Sequence, residues 1–360
     1  MDEMFKAVEG WSLEDKCHAI GRFWALQWTA LQLTVLREKG EAGLVDLKYS
    51  SLRRHQRGYF LQGVEKLGID GSLSPAQVAG RYHYLSNMLG GVDMEYIEES
   101  PKKVWIRYHA PAWSYPQESL FAVPASVQRA MFAGWHPHNG PSLGAPRLGF
   151  VLTKVFQDGE PYDEGYFEEF DRDLHSDERI QYRPVTSSPD FDPEKAPKLD
   201  PQKWPKDRLT RARRNFARGY LEDGVRTVLE IYGTQTAAQL LAQAARLCAV
   251  QCTETLGGLV QAGGTKAADF TRLFSRLAFM ADEDVVVRRH GPSGYAMERT
   301  IALFRSEAIP AEIYDALFEF PKMSAKVMGA RVKVSRTVLP SASNDVRERW
   351  IIEDVPDRLF

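Results

Sequence analysis

The chain has 360 residues, a net charge of −2, 44% hydrophobic and 26% charged residues, which predicts a globular protein of two domains or one doubled unit. The balanced charge supplies no basic field for nucleic acid, and no apolar run reaches membrane-spanning length. Three cysteines, Cys17, Cys248 and Cys252, argue against a disulfide framework; with an acidic N-terminus lacking a signal-peptide pattern, they give a cytoplasmic expectation.

Residues 13–39 carry Phe23, Leu26, Leu31 and Val35 at helical spacing, so one amphipathic helix is predicted there, ended by Gly40. A second helix follows over 42–67. A third is expected over 74–89, with Ser74 as N-cap and Pro75 at its first position. The period then changes to two. MEYIEE and VWIRYHA alternate about the turn SPKK as a β-hairpin, a helix opens at Pro124, and LGFVLTKVF with DEGYFEEF forms a second hairpin about QDGEP. Residues 181–205, with a proline about every four residues, read as an extended linker between a first unit, 1–180, and a second, 206–360.

Beyond the linker the order returns: a long helix to Gly233, a second, a third over 266–280, a hairpin about GPSG, a helix from Pro310 and a last hairpin. Val123-Pro124-Ala125 and Met131-Phe132 find counterparts in Ile309-Pro310-Ala311 and Leu317-Phe318, and Gly144-Ala145 in Gly329-Ala330. The expectation is an α+β fold made of two tandem copies, each with helices packed on an antiparallel sheet. Cys248 and Cys252, four apart, share a helix face and read as small packing residues, with a redox or metal pair as the alternative. The arginine-rich run 208–219 reads as a solvated helix surface rather than a reader of phosphate backbone.

The copies differ chemically. Seven of eight histidines and six of eight tryptophans precede the linker. The contrast is sharpest between FAGWHPHNGPSLGAPR, 132–147, and its counterpart FEFPKMSAKVMGAR, 318–331, which has no histidine and one proline. Trp135, His136, His138 and Asn139 are thus additions to a shared helix-to-strand connection, where binding groups collect. His136, His138 and His109 are the proton-transfer candidates. Arg107 or Arg147 is the expected anchor for an acid, and Trp105, Trp113, Trp135 and Tyr82 the pocket walls, with His83 and Asn139 beside them.

Arg107 and His109 share a strand face, and the structural alternative for Arg107 is pairing with Glu95 or Glu98. A metal held by His136, His138 and His83 or His109 is a weaker reading, since HExxH and CxxC are absent and Pro137 separates the pair. No cofactor is therefore expected. GxSxG, Walker A and dinucleotide-binding glycine patterns are also missing.

The repeated element order, carried by residues 208–254 and 92–147, resembles the L-2-amino-thiazoline-4-carboxylic acid hydrolase-like family. It is similar in outline to 4-vinyl-reductase-type ligand-binding domains. The resemblance implies a small-ligand pocket and cleavage of a C–N, C–S or C–O bond. Family cysteines would fall after the first hairpin, in the following helix or loop, and near the last strand. Here Ala110-Pro111 and His136-Pro137-His138 stand at the first two of these places, and no cysteine lies between 18 and 247, so the thiol chemistry is not carried over. The expected function is a hydrolase or lyase on a compact aromatic or heterocyclic acid, with its pocket in the first copy. The alternative is a non-catalytic small-ligand sensor, and either can pair as a homodimer.

Overall fold

A computed structural model describes residues 2–109, 117–305, 308–329, 331–341 and 345–355. Trp113, Ala110-Pro111 and Ala330 lie outside them. The fold is α+β. By contacts the chain forms two compact units, one central (Val35–Phe216) and one split (Met1–Thr34 with Ala217–Phe360).

α1 (Asp2–Glu9) precedes the long α2 (Leu13–Leu67), which breaks at Gly40, φ 73° and ψ −176°. That backbone conformation strains any residue with a Cβ, so the glycine ends one helix and starts the next. α3 (Pro75–Leu89) has the expected start: Ser74 and Gln77 form a reciprocal capping box, with Pro75 at the first turn.

The first sheet comprises β1 (Met94–Ser100), β2 (Lys103–His109), β3 (Leu148–Lys154), β4 (Tyr162–Glu169) and β5 (Ile180–Tyr182), in the order β1-β2-β4-β3-β5. All neighbours are antiparallel except β3 with β5. Alternation sorts the side chains. Val104, Ile106, Tyr108, Phe150, Leu152 and Phe167 form one core with Ala76, Ala79 and Leu85 of α3 and Phe132 of α4 (Ala125–Trp135). Trp105, Val151 and Tyr166 occupy the other face, with Val185 against them. Fully burying each large side chain contributes about 1.5–3 kcal/mol.

α4 runs into a 3₁₀ turn, His136–His138, and the short α5 (Asn139–Ser142). A Cβ on Gly134 would lie 2.4 Å from the Tyr49 carbonyl oxygen, so this glycine lets α4 approach α2 closely enough for Tyr49 to reach the turn. Gly134→Ala is expected to cost about 1–3 kcal/mol and to weaken the Tyr49–His138 contact. Urea denaturation and the His138 ring NMR shift check both.

In the split unit, α6 (Lys206–Leu259) breaks at Gly233, φ 72° and ψ 168°. α7 (Ala267–Met280) packs on β6 (Val285–His290), β7 (Gly294–Thr300) and β9 (Arg347–Asp354). α8 (Ala311–Leu317), α9 (Glu319–Val327) and β8 (Val332–Leu339) complete it. The sheet order β6-β7-β9-β8 repeats β1-β2-β4-β3 strand for strand. Its core includes Trp28, Phe270, Phe274, Met297, Trp350 and Ile352.

The compact units do not divide where the expected boundaries at 180 and 205 fall. The first 34 residues group with the second half, because α2 and α6 each carry on from one unit into the other. Residues 181–205 have little regular structure but are no free linker: Tyr182 pairs with Leu152, and Ala196 and Trp204 are buried in the central unit. Among the described residues no helix is long and apolar enough to cross a membrane.

Candidate functional site

The 136–142 turn divides its histidines. His136 lies inside the core, stacked on His83 with centroids 4.1 Å apart and packed on Phe150 and Phe167. Tyr108 Oη lies 3.2 Å from His83 Nδ1 and 3.0 Å from His136 Nε2. Asn139 Nδ2 is 2.9 Å from His83 Nε2, and His136 Nδ1 is 3.3 Å from the Phe132 carbonyl.

One proton arrangement satisfies all four contacts. The Asn139 amide donates to His83, His83 Nδ1–H to Tyr108, Tyr108 O–H to His136, and His136 Nδ1–H to the carbonyl. Both rings are then neutral. Burial pulls His136 down to about 3, and burial with the neighbouring His136 holds His83 well below the usual range. Trp135 and Tyr82 pack around this chain, Trp135 being 5.8 Å from His83 and 6.1 Å from Tyr82, and the Trp135 indole N–H has no partner among the described residues.

His138 points the other way, to the rim. It is half-buried, with Nε2 3.4 Å from Tyr49 Oη. Gln56 braces the turn, donating to the His138 carbonyl (3.3 Å), Ser142 Oγ (2.9 Å) and Asn139 Oδ1 (3.5 Å), and accepts from Arg53. Tyr49, Arg53 and Arg57 follow one another at four-residue steps along one face of α2. Burial first, then the charges of Arg53, Arg57 and Arg179, bring His138 down to about 4. These three arginines make no ion pair among the described residues, and Arg179 Nε is buried without a partner. Sequence reasoning missed all three, because helical arginines read as a solvated face and Arg179 stands in an acidic run.

The other candidates are elsewhere. Trp105, Arg107 and His109 lie on the opposite face of the sheet, away from His83 and His136. Arg107 donates from Nε to Glu164 Oε2 (2.5 Å), from Nη1 to Glu95 Oε2 (2.5 Å) and from Nη2 to the Pro189 carbonyl. His109 meets the same Glu95 at 2.9 Å, and Lys154 lies 3.6 Å from Glu164 and bonds Ser188. Pairing with Glu95 is thus what occupies Arg107, and residues 188–189 close over it. Trp105 donates to Glu99. Arg147 is exposed and pairs with Asp173 at 3.4 Å.

Two further buried titratable groups carry no motif. Burial, with a smaller push from Asp158, raises Asp163 to about 8, while bonds from Phe156 N–H (3.0 Å) and Gln128 oppose it. Burial pulls Lys48 to about 7. In the split unit, a cavity of about 80 Å³ is lined by Trp24, Phe318 and Trp350 and by Arg299 and Arg336. These arginines share Glu348, with Arg299 also 3.2 Å from Glu283. Cys248 and Cys252 are buried free thiols. No cluster of three or more His, Cys, Asp or Glu able to hold a metal occurs among the described residues. Compared with family models, characterised proteins and solved structures, the chain finds no match.

Proposed function

We propose that the chain is a small-molecule enzyme, a hydrolase or lyase of a compact aromatic or heterocyclic acid, working at the rim of the 135–142 turn in the central unit. The carrying observation is His138: half-buried, in contact with the Tyr49 hydroxyl, and pulled to about 4 beside three unpaired arginines. The imidazole is neutral at neutral pH, and an anionic substrate that offsets the three arginine charges would lift its basicity toward the operating pH, so that it can accept a proton from water or from the substrate, the step with which hydrolysis and elimination both begin. The same cations favour an anionic substrate beside that base. His136 and His83 take the supporting role, since both ring nitrogens of each are already engaged. That saturation is also what favours the second reading, a sensor that binds the acid without turning it over.

The shared strand order and the paired breaks at Gly40 and Gly233 support descent of both halves from one duplicated unit. The balanced charge and sparse cysteines support a cytoplasmic setting.

The protein incubated with pooled aromatic and heterocyclic acids is expected to consume one of them, followed by mass spectrometry. His138→Ala should lower that rate by about 10²–10⁴-fold. Full activity in the His138→Ala protein would rule the base out, and binding without consumption would establish the sensor.

A further inference from the structure

We infer that Arg53, Arg57 and Arg179 form the oxyanion anchor of this site, gripping the carboxylate of the ligand against the 136–142 turn. The inference rests on the reading of that turn as the substrate site, and replaces Arg107 and Arg147 as the anchoring groups. Both of those have their carboxylates already, Arg107 from Glu95 and Glu164 and Arg147 from Asp173.

Three features carry it. First, Arg53 and Arg57 stand four residues apart on one helix face, continuing the line from Tyr49, whose hydroxyl touches His138. Both therefore project along the rim of the turn. Second, like charges stand together without a carboxylate in ion-pair contact among the described residues, although Asp and Glu outnumber Lys and Arg, 48 to 46, in the chain as a whole. Nearby arginines of the same unit do pair, as Arg129 with Asp158 and Arg172 with Glu178, whereas these three make none among the described residues. Third, the group is held in place. Arg53 donates to Gln56, and Gln56 in turn grips the His138 carbonyl and Ser142 Oγ. The Arg179 carbonyl accepts from Phe150 N–H at 2.8 Å, which fixes its backbone to β3, and its Nε is a buried donor lacking an acceptor. Buried donors in folded proteins are nearly always satisfied, and a bound carboxylate would supply the missing acceptor.

Guanidinium groups bind carboxylates through paired, charge-assisted hydrogen bonds. The ligand class is therefore an acid whose anionic group is unhindered. The uncharged amide of the same shape lacks the charge that three open cations select.

Benzoate and benzamide serve as the probes, titrated into the whole protein by calorimetry at low ionic strength. Benzoate is expected to bind and benzamide not. Arg53→Gln, Arg57→Gln and Arg179→Gln should each weaken benzoate about tenfold or more, while Arg147→Gln leaves it unchanged. Arg57→Gln should also raise the melting temperature in anion-free buffer by relieving repulsion, a gain that a merely structural arginine would not give. As an independent reading, benzoate should shift the NMR titration of the His138 ring upward, because it offsets Arg53 and Arg57 of α2 and Arg179, just before β5, the charged groups that face the ring; among the described residues Tyr49 is the other titratable group touching it.

Equal binding of the two probes, or benzoate affinity unchanged in all three variants, overturns the anchor. The outcomes separate from those of the enzymatic reading. Turnover that survives in the arginine variants and dies in His138→Ala would leave the base standing and remove the anchor. Benzoate binding that depends on the arginines, without turnover of any acid, would keep the anchor and remove the enzyme.

Discussion

Asp163→Asn is expected to make the protein more stable at pH 8, and by an amount that vanishes near pH 4. Asp163 is 1% exposed, and burial lifts its carboxyl to about 8. The unfolded chain returns it to about 3.9. Between those values the folded protein holds a proton that the unfolded one has released. Stability therefore falls as pH rises, by about 1.4 kcal/mol per unit for this group. At pH 7 the accumulated penalty is on the order of 4 kcal/mol, set against total stabilities of about 5–15 kcal/mol. Asparagine keeps the acceptor for Phe156 N–H, and the Gln128 amide can turn to accept from the new NH₂. Guanidinium denaturation of both proteins from pH 4.5 to 8.5 should give a difference that grows with pH and levels off near 8. A flat difference would show that Asp163 is ionised in the folded state.

The same substitution uncovers an opposite effect. His83 and His136 are pulled below their usual values by burial. Below about 6.5 the unfolded chain takes up protons that the folded one does not, so stability falls as pH falls. The loss is about 2 kcal/mol per histidine at pH 5. His138, brought down to about 4, adds a similar share, so in the native protein roughly a third of the loss is offset by Asp163, whose contribution runs the other way. In Asp163→Asn the full acid loss should appear, and His136→Gln added to it should flatten the curve by one histidine's share.

The sequence was informative where a residue's role is local. Gly40 and Gly233 marked helix breaks because only glycine enters that backbone region easily, and both are found there. Ser74-Pro75 announced a helix start for the same kind of reason, as did the alternation at 94–109 for a hairpin. What failed to show was which partner each element would choose. The helical period of residues 13–34 gives a buried face but not its partner, and these residues group with the second half. Residues 181–205 lack any period, yet Val185, Phe191, Ala196 and Leu199 pack on one or the other face of the first sheet. Single apolar anchors separated by prolines leave no pattern to read. Trp135, His136, His138 and Asn139, which the contrast between the two copies singled out, share one turn, and His83 and Tyr82 pack beside it. Their division of labour was invisible, because His136 and His138 differ only in which way a single 3₁₀ turn aims each of them. Arg53, Arg57 and Arg179 were invisible for a different cause: an open cation is recognised by the carboxylates it lacks, and those are a property of the folded surface.

Arg107→Met separates the two faces of the sheet most directly. As the substrate anchor first expected of it, Arg107 would weaken ligand binding on substitution and leave the fold intact. The structure gives it another task. Glu164 is fully buried, and its oxygens meet Arg107 Nε at 2.5 Å, Lys154 Nζ at 3.6 Å and Thr153 Oγ1 at 2.9 Å. Removing the guanidinium strips this carboxylate of its closest countercharge and leaves the Pro189 carbonyl without its donor. Breaking a buried pair from one side costs about 3–5 kcal/mol, enough to remove a large part of the stability of an ordinary domain. Glu164→Gln placed on top of Arg107→Met should recover part of that loss, since a neutral amide in a dry site costs less than an orphaned charge. Because the Arg107–Pro189 bond also fastens residues 188–189 to the sheet, limited proteolysis of folded Arg107→Met should cut within 183–205 faster than in the native chain. Benzoate affinity, measured on the folded fraction, should stay unchanged. A variant of native stability with its ligand affinity lost would return Arg107 to the binding site and move that site to the opposite face of the sheet.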